Sequence, residues 1–150
     1  MGIKIFAAFL ISVFIVSISS SARAAVYNCN SCSDCNSKIS SAFPGDTVQL
    51  TQKIINYSAG DCIRFGGKDN ITFDCLGNTI SGSWSGNFSE YPPTYAGIRL
   101  NNSDGGSNNN EIRNCIITNF AYGVSMYYSS NNILKGLILN VHQQYAIHIN

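Results

Sequence analysis

The residues with chemical reach in this 150-residue chain are its cysteines, histidines, carboxylates and arginines. The six cysteines are Cys29, Cys32, Cys35, Cys62, Cys75 and Cys115. The run Cys29-x-x-Cys32-x-x-Cys35 has metal-like spacing. Zinc normally takes four N or S ligands, however, and this neighbourhood offers three thiols and no histidine. An even cysteine count behind an export leader favours disulfides and leaves their pairing open. The two histidines, His142 and His148, have no partner one helical turn away and no carboxylate close by, so no positioned acid–base pair is predicted. The acids are Asp34, Asp46, Asp61, Asp69, Asp74, Glu90, Asp104 and Glu111. Glycoside hydrolysis needs two carboxyls flanking one bond, and no Asp-Asp or Asp-x-Asp occurs. Asp74, mid-strand beside Cys75, is expected to serve a turn or ladder hydrogen bond. Asp104 with Asn101, Asn102 and Asn108 offers oxygens of the kind calcium takes, in a run that otherwise reads as a polar loop.

Positioning these groups falls to a repeated element. Gly97-Ile98-Arg99-Leu100, Gly123-Val124-Ser125-Met126 and Ala146-Ile147-His148-Ile149 start 26 and 23 residues apart. A second phrase opens at Asn110-Glu111-Ile112 and returns 21 residues later as Asn131-Asn132-Ile133. A period in the twenties marks a solenoid. The repeats have no helical run between strands, so an α/β solenoid is excluded. In the first phrase Ile63, Ile98, Val124 and Ile147 form one apolar column, and Phe65, Leu100, Met126 and Ile149 form another. Two residues apart on a strand, they share the inner face. Arg64, Arg99, Ser125 and His148 lie between them and face outward. Aligned at 21 residues, the second phrase sets Ile112 over Ile133 and Ile117 over Ile138. Asn70, Asn110 and Asn131 recur at the preceding turn, where stacked asparagines form ladders.

Residues 1–24 read as a secretory signal: Lys4, an apolar stretch from Ile5 to Ile18, and the small-x-small site Ala22-Arg23-Ala24, with cleavage expected after Ala24. Removing Lys4 and Arg23 from nine basic residues leaves seven against eight acids, a net charge of −1. That balance excludes a nucleic-acid duplex as partner. Residues 25–46 read as a Cys-rich cap over the open apolar end that a solenoid must close. Its short helix is expected behind an N-cap at Asn36, with Ile39, Ala42 and Phe43 on one face. Residues 47–150 carry the coils, which break off in an unfinished repeat. The stretch Ser81 to Tyr95 interrupts the period with an aromatic-rich insertion, and Trp84 and Tyr95 are its candidates for stacking on sugar rings. Of four sequons, Asn87 and Asn101 lie in predicted loops and are the expected acceptors.

Ile39-x-x-Ala42-x-Pro44-Gly45-Asp46-Thr47-Val48-x-Leu50 resembles the opening of the right-handed parallel β-helix superfamily, the pectate-lyase-like fold. Gly123 to Ile133 is similar to the repeat of its NosD-like, carbohydrate-binding and sugar-hydrolase branch. Asp61-Cys62-Ile63 and Phe73-Asp74-Cys75-x-Gly77-Asn78-Thr79-Ile80 resemble secreted β-helix repeat proteins of archaeal type. The resemblance implies an all-β, right-handed parallel β-helix with a short N-terminal capping helix. It also implies a polysaccharide or cell-surface glycan along the outward sheet face, where Arg64 and Arg99 would fork onto uronate carboxylates. Two other expectations come with it. One is a polysaccharide lyase or glycoside hydrolase whose site continues in further coils. The other is NosD-like copper delivery through His142, His148 and Met126. No cofactor is called for by the binding reading.

Overall fold

A computed structural model describes residues 23–83, 95–101, 106–140 and 144–150. Its strands are β1 (Val26–Cys29), β2 (Thr47–Leu50), β3 (Ile54–Tyr57), β4 (Ile63–Arg64), β5 (Thr72–Asp74), β6 (Thr79–Gly82) and β7 (Ala96–Leu100). They continue as β8 (Glu111–Arg113), β9 (Ile116–Thr118), β10 (Tyr122–Met126), β11 (Ile133–Lys135), β12 (Ile138–Asn140) and β13 (Tyr145–Ile149). One helix, α1 (Cys32–Ser41), lies between β1 and β2. From β2 onward the chain visits three sheets in turn. The first sheet has the order β1-β2-β5-β8-β11, the second β12-β9-β6-β3 and the third β13-β10-β7-β4. Neighbouring strands pair in parallel throughout, so the fold is an all-β parallel solenoid.

The apolar columns follow from alternation. Ile63 pairs with Ile98, Ile98 with Val124 and Val124 with Ile147; Leu100 pairs with Met126 and Met126 with Ile149. Ile63, Ile98, Leu100 and Val124 are fully buried, with Phe65, Phe73, Ile80, Ile112 and Ile117 in the same core. Ile147 and Ile149 belong to β13, the outer strand of its sheet, and remain largely exposed.

Two details of the expected register are corrected. Glu111 pairs with Ile133 and Ile112 with Leu134, an offset of 22 rather than 21. Likewise Ile117 pairs with Leu139, and Ile133 turns outward, 56% exposed. The turn fixes this register. Asn70, Asn109 and Asn131 all take left-handed backbone, at φ 57°, 56° and 56°. Asparagine tolerates that region because its short polar side chain bonds locally. The residues after Asn109 and Asn131 carry the side-chain ladder, and the residue after Asn70, Ile71, ends it with its backbone N–H. Asn132 Oδ1 accepts from the Asn110 N–H at 2.9 Å, and Asn110 Oδ1 accepts from the Ile71 N–H at 2.8 Å. The ladder therefore runs from Asn132 through Asn110 to the Ile71 N–H: Asn110 keeps the place read in the sequence, while Asn132 and Ile71 stand where Asn131 and Asn70 were expected.

The cap also starts earlier than expected. Ser31, not Asn36, is the N-cap of α1, its Oγ accepting from the Asp34 N–H at 3.2 Å. Cys32, Cys35 and Ile39 form the buried face. The helix ends at Ser41, Ala42 is extended, and Phe43 leaves the helical face to stand 73% exposed. Asn36 instead closes the third sheet. Its Nδ2 donates to the Cys62 carbonyl at 2.9 Å, and its Oδ1 accepts from the Arg64 N–H at 2.8 Å. The side-chain amide thereby stands in for a neighbouring strand along β4, the outermost strand of that sheet. β1 does the same for the first sheet with real backbone pairing.

The cysteines form disulfides: Cys29–Cys35, Cys32–Cys62 and Cys75–Cys115. None is free, so the metal reading of the cluster is set aside. Three disulfides fit an extracellular or secreted protein. Among the described residues, no helix is long and apolar enough to cross a membrane.

Candidate functional site

The outward face of the third sheet collects most of the residues singled out from the sequence. Arg64, Arg99, Ser125 and His148 stand in register on β4, β7, β10 and β13. Their environments differ. Arg64 is exposed. Arg99 Nε lies 2.6 Å from Asp61 Oδ2, with both side chains less than a fifth exposed. The other oxygen of Asp61 accepts from the Ala96 N–H at 2.8 Å, which fixes the carboxylate at the start of the coil. Ser125 is fully buried between Arg99 and His148, and its hydroxyl has no hydrogen-bond partner among the described residues. His148 is partly buried, and its Nδ1 likewise lacks a partner there.

Beside Ser125 the face becomes aromatic. The His148 ring lies 4.9 Å from that of Tyr122, 5.7 Å from Tyr145 and 5.3 Å from Tyr127. Tyr122 and Tyr145 are parallel, 6.2 Å apart. The Tyr122 hydroxyl donates to Gln144 Oε1, which fixes the ring's far end. Tyr145 is 57% exposed and presents the accessible surface of the group.

Tyr122, Tyr127 and Tyr145 were not singled out from the sequence. Strict alternation would place Tyr122 inside with Val124 and Met126. A corner intervenes. Gly97, in the corner next to the register partner of Tyr122, points into the core: a Cβ there would lie 2.3 Å from Ile117 Cγ2 and 3.2 Å from Phe120 Cδ2. With Gly97 and Ile98 both turned inward, the residue before them falls on the other face of the strand, where it is still covered: Ala96 is fully buried and Tyr122 is 8% exposed. Ala96, Ala121 and Tyr122 accordingly form a small cluster separate from the main core. The glycine at each strand entry was the available clue, since two consecutive inward positions require one residue without a side chain.

The remaining candidates are distributed elsewhere. Tyr95 precedes β7, is 38% exposed, and faces Gly60 from the coil edge. Asn101 is partly buried at the end of β7. Trp84, Asn87, Asn102, Asp104 and His142 lie outside the described residues. Asn108 Oδ1 accepts from the Ser130 N–H and hydroxyl, a turn contact. Met126 is buried in the inner column while His148 faces outward, so the two cannot share a copper ion. Among the described residues no group of three or more His, Cys, Asp or Glu side chains converges for a metal. Asp74 takes the ladder role expected of it, accepting from Arg113 Nε at 2.9 Å and Asn114 Nδ2 at 3.1 Å.

Chemically, this face offers a guanidinium at one edge, a carboxylate–guanidinium pair beside it and a stacked aromatic group at the other. From β4 to β13 are three strand spacings, roughly 14 Å. Asp61 is committed to Arg99 and the Ala96 amide, so it is not poised as a general acid or base. No protein-family model, curated protein or solved structure matches this chain.

Proposed function

We propose that this chain is a secreted β-solenoid that binds polysaccharide or cell-surface glycan along the outward face of its third sheet. The observation that carries the reading is the ring group of Tyr122, Tyr127, Tyr145 and His148, on the same face as Arg64 and the Asp61–Arg99 pair. Aromatic rings present an apolar face and a polar edge, which suits the C–H faces and hydroxyls of sugars. Arg64 adds an exposed charge for an acidic sugar. The sequence resemblance to the pectate-lyase-like β-helices supports the same placement of a ligand. Secretion is supported by the leader pattern and the three disulfides.

The test is glycan-array binding of the secreted protein, beside Tyr145→Ala and Arg64→Ala. Tyr145→Ala is expected to weaken binding roughly tenfold, about 1.4 kcal/mol. Arg64→Ala is expected to lower affinity selectively for uronate-containing glycans. An array with no retained glycan, or affinities untouched by both substitutions, would overturn the proposal.

A further inference from the structure

The cap holds a buried carboxylate whose charge no side chain balances by an ion pair among the described residues. Asp46 is 5% exposed. The ion pairs among the described residues join Arg99 to Asp61 and Arg113 to Asp74 and Glu111; none reaches Asp46. Buried charges are ordinarily paired, because leaving water is costly. Asp46 meets backbone nitrogens instead. Its Oδ2 accepts from the Phe43 N–H at 2.8 Å, and its Oδ1 from the Ala25 N–H at 2.7 Å. The Phe43 N–H, then the Ala25 N–H and the Tyr27 side chain, hold its carboxyl below the usual range against the opposing effect of burial.

Among the described residues, Ala25 is the first whose N–H and carbonyl are both held by the fold. Its carbonyl accepts from the Thr47 N–H at 2.8 Å, and β1 begins at the next residue. Arg23 and Ala24 before it are exposed. The small-x-small pattern Ala22-Arg23-Ala24 puts the expected cut between Ala24 and Ala25, at the nitrogen that faces Asp46.

We propose that processing between Ala24 and Ala25 converts this amide into an α-ammonium, and that the new terminus forms an ion pair with Asp46 that ties the mature chain to its cap. The inference rests on the secretion reading. The step is a hydrolysis by an export-associated endopeptidase. The oxygen of one water joins the Ala24 carbonyl carbon, the C–N bond breaks, and both water protons end on the Ala25 nitrogen. The leader departs with a carboxylate. Asp46 thereby gains a cationic partner that it lacks among the described residues, at a distance already set by β1 and by the turn Phe43 to Asp46. Cleavage at a neighbouring bond would leave an overhanging residue or remove the nitrogen that Asp46 binds.

The full chain, expressed with its leader in an exporting host, decides the matter by two readings. Mass spectrometry of the secreted product is expected to show a chain beginning Ala-Val-Tyr-Asn-Cys. An NMR titration of the Ala25 ammonium is expected to show proton binding about ten- to a thousandfold tighter than an ordinary α-amino group. Asp46→Asn should keep the same start and return that titration to ordinary. A secreted chain that starts at another residue overturns the processing step and leaves secretion standing, whereas a chain kept in the cell with its leader overturns the secretion reading as well. A start at Ala25 with an ordinary ammonium titration in the wild type overturns the ion pair and leaves secretion standing. The wild-type titration is sufficient if Asp46→Asn does not fold.

Discussion

Asp74 shows how a single side chain is committed by its neighbours. It is 4% exposed on β5, and it accepts from the Leu76 N–H, Arg113 Nε and Asn114 Nδ2. Burial pushes its carboxyl up; the Leu76 N–H, Asn114 and Arg113 together outweigh it and hold the group below the usual range. A carboxyl depressed in the folded state stabilises at pH values above its unfolded pKa, about 3.9, and loses that contribution as pH falls through the lower folded value. Asp74→Ala is therefore expected to cost about 1–3 kcal/mol at pH 7, because three donors lose their acceptor. Urea unfolding at neutral pH and near pH 2 checks this: the two proteins should converge in acid, and a constant gap would contradict it. The structural role of Asp74 was legible because a lone acid in a strand beside a cysteine has little room for chemistry. The outward position of Ser125 was legible from alternation as well. Its burial was not, because that depends on side chains from the corner and from the next coil.

At the scale of elements, the corners decide what the strands present. Gly82 and Gly97 line the corner that also holds Asn119 and Phe120. A Cβ on Gly82 would lie 2.1 Å from the Asn119 carbonyl oxygen, which is backbone and cannot swing aside. A Cβ on Gly97 would meet the Ile117 γ-methyl at 2.3 Å and the Gly123 carbonyl oxygen at 3.0 Å, so its closest clash is with a side chain, which shifts more readily than backbone. Gly97→Ala is expected to cost about 1–3 kcal/mol, in the range of overpacked cores, and Gly82→Ala more. Denaturant unfolding of the two variants gives the order; a milder Gly82→Ala would refute the corner geometry. Gly97→Ala should also disturb the neighbouring Tyr122 ring group, visible as a changed near-UV signal. Register had the same local origin. Matching Asn110 to Asn131 by identity gave an offset of 21, whereas the left-handed pair Asn109 and Asn131 sets 22. A slip of one residue exchanges the two faces of a strand, which is why Ile133 was read as inward and is exposed. The first-phrase columns escaped this error because four copies with a glycine or alanine at three of the entries leave one consistent alignment.

The whole molecule depends on how coils that touch only their neighbours are tied together. The cap closes the third sheet through Asn36 and the first through β1, and Cys32–Cys62 joins the helix to the strand entry of β4. Cys75–Cys115 joins successive coils within the core. Sequence could not select these pairings, since Cys75 and Cys115 are stacked by coils whose spacing the insertion conceals. The three crosslinks constrain the unfolded chain unequally. Cys75–Cys115 spans 40 residues and Cys29–Cys35 spans 6. Loop-closure entropy then assigns about 4 kcal/mol to the longer loop and about 2 kcal/mol to the shorter one. Paired alanine substitutions at Cys75 and Cys115 are expected to lower unfolding free energy about twice as much as those at Cys29 and Cys35. Urea midpoints of the two double variants, each with the other disulfides intact, measure the difference. If the Cys29–Cys35 variant loses as much, the short link is acting on the native cap, holding the first turn of α1 against β1. The solenoid would then be limited by its covered end rather than by cohesion between its coils.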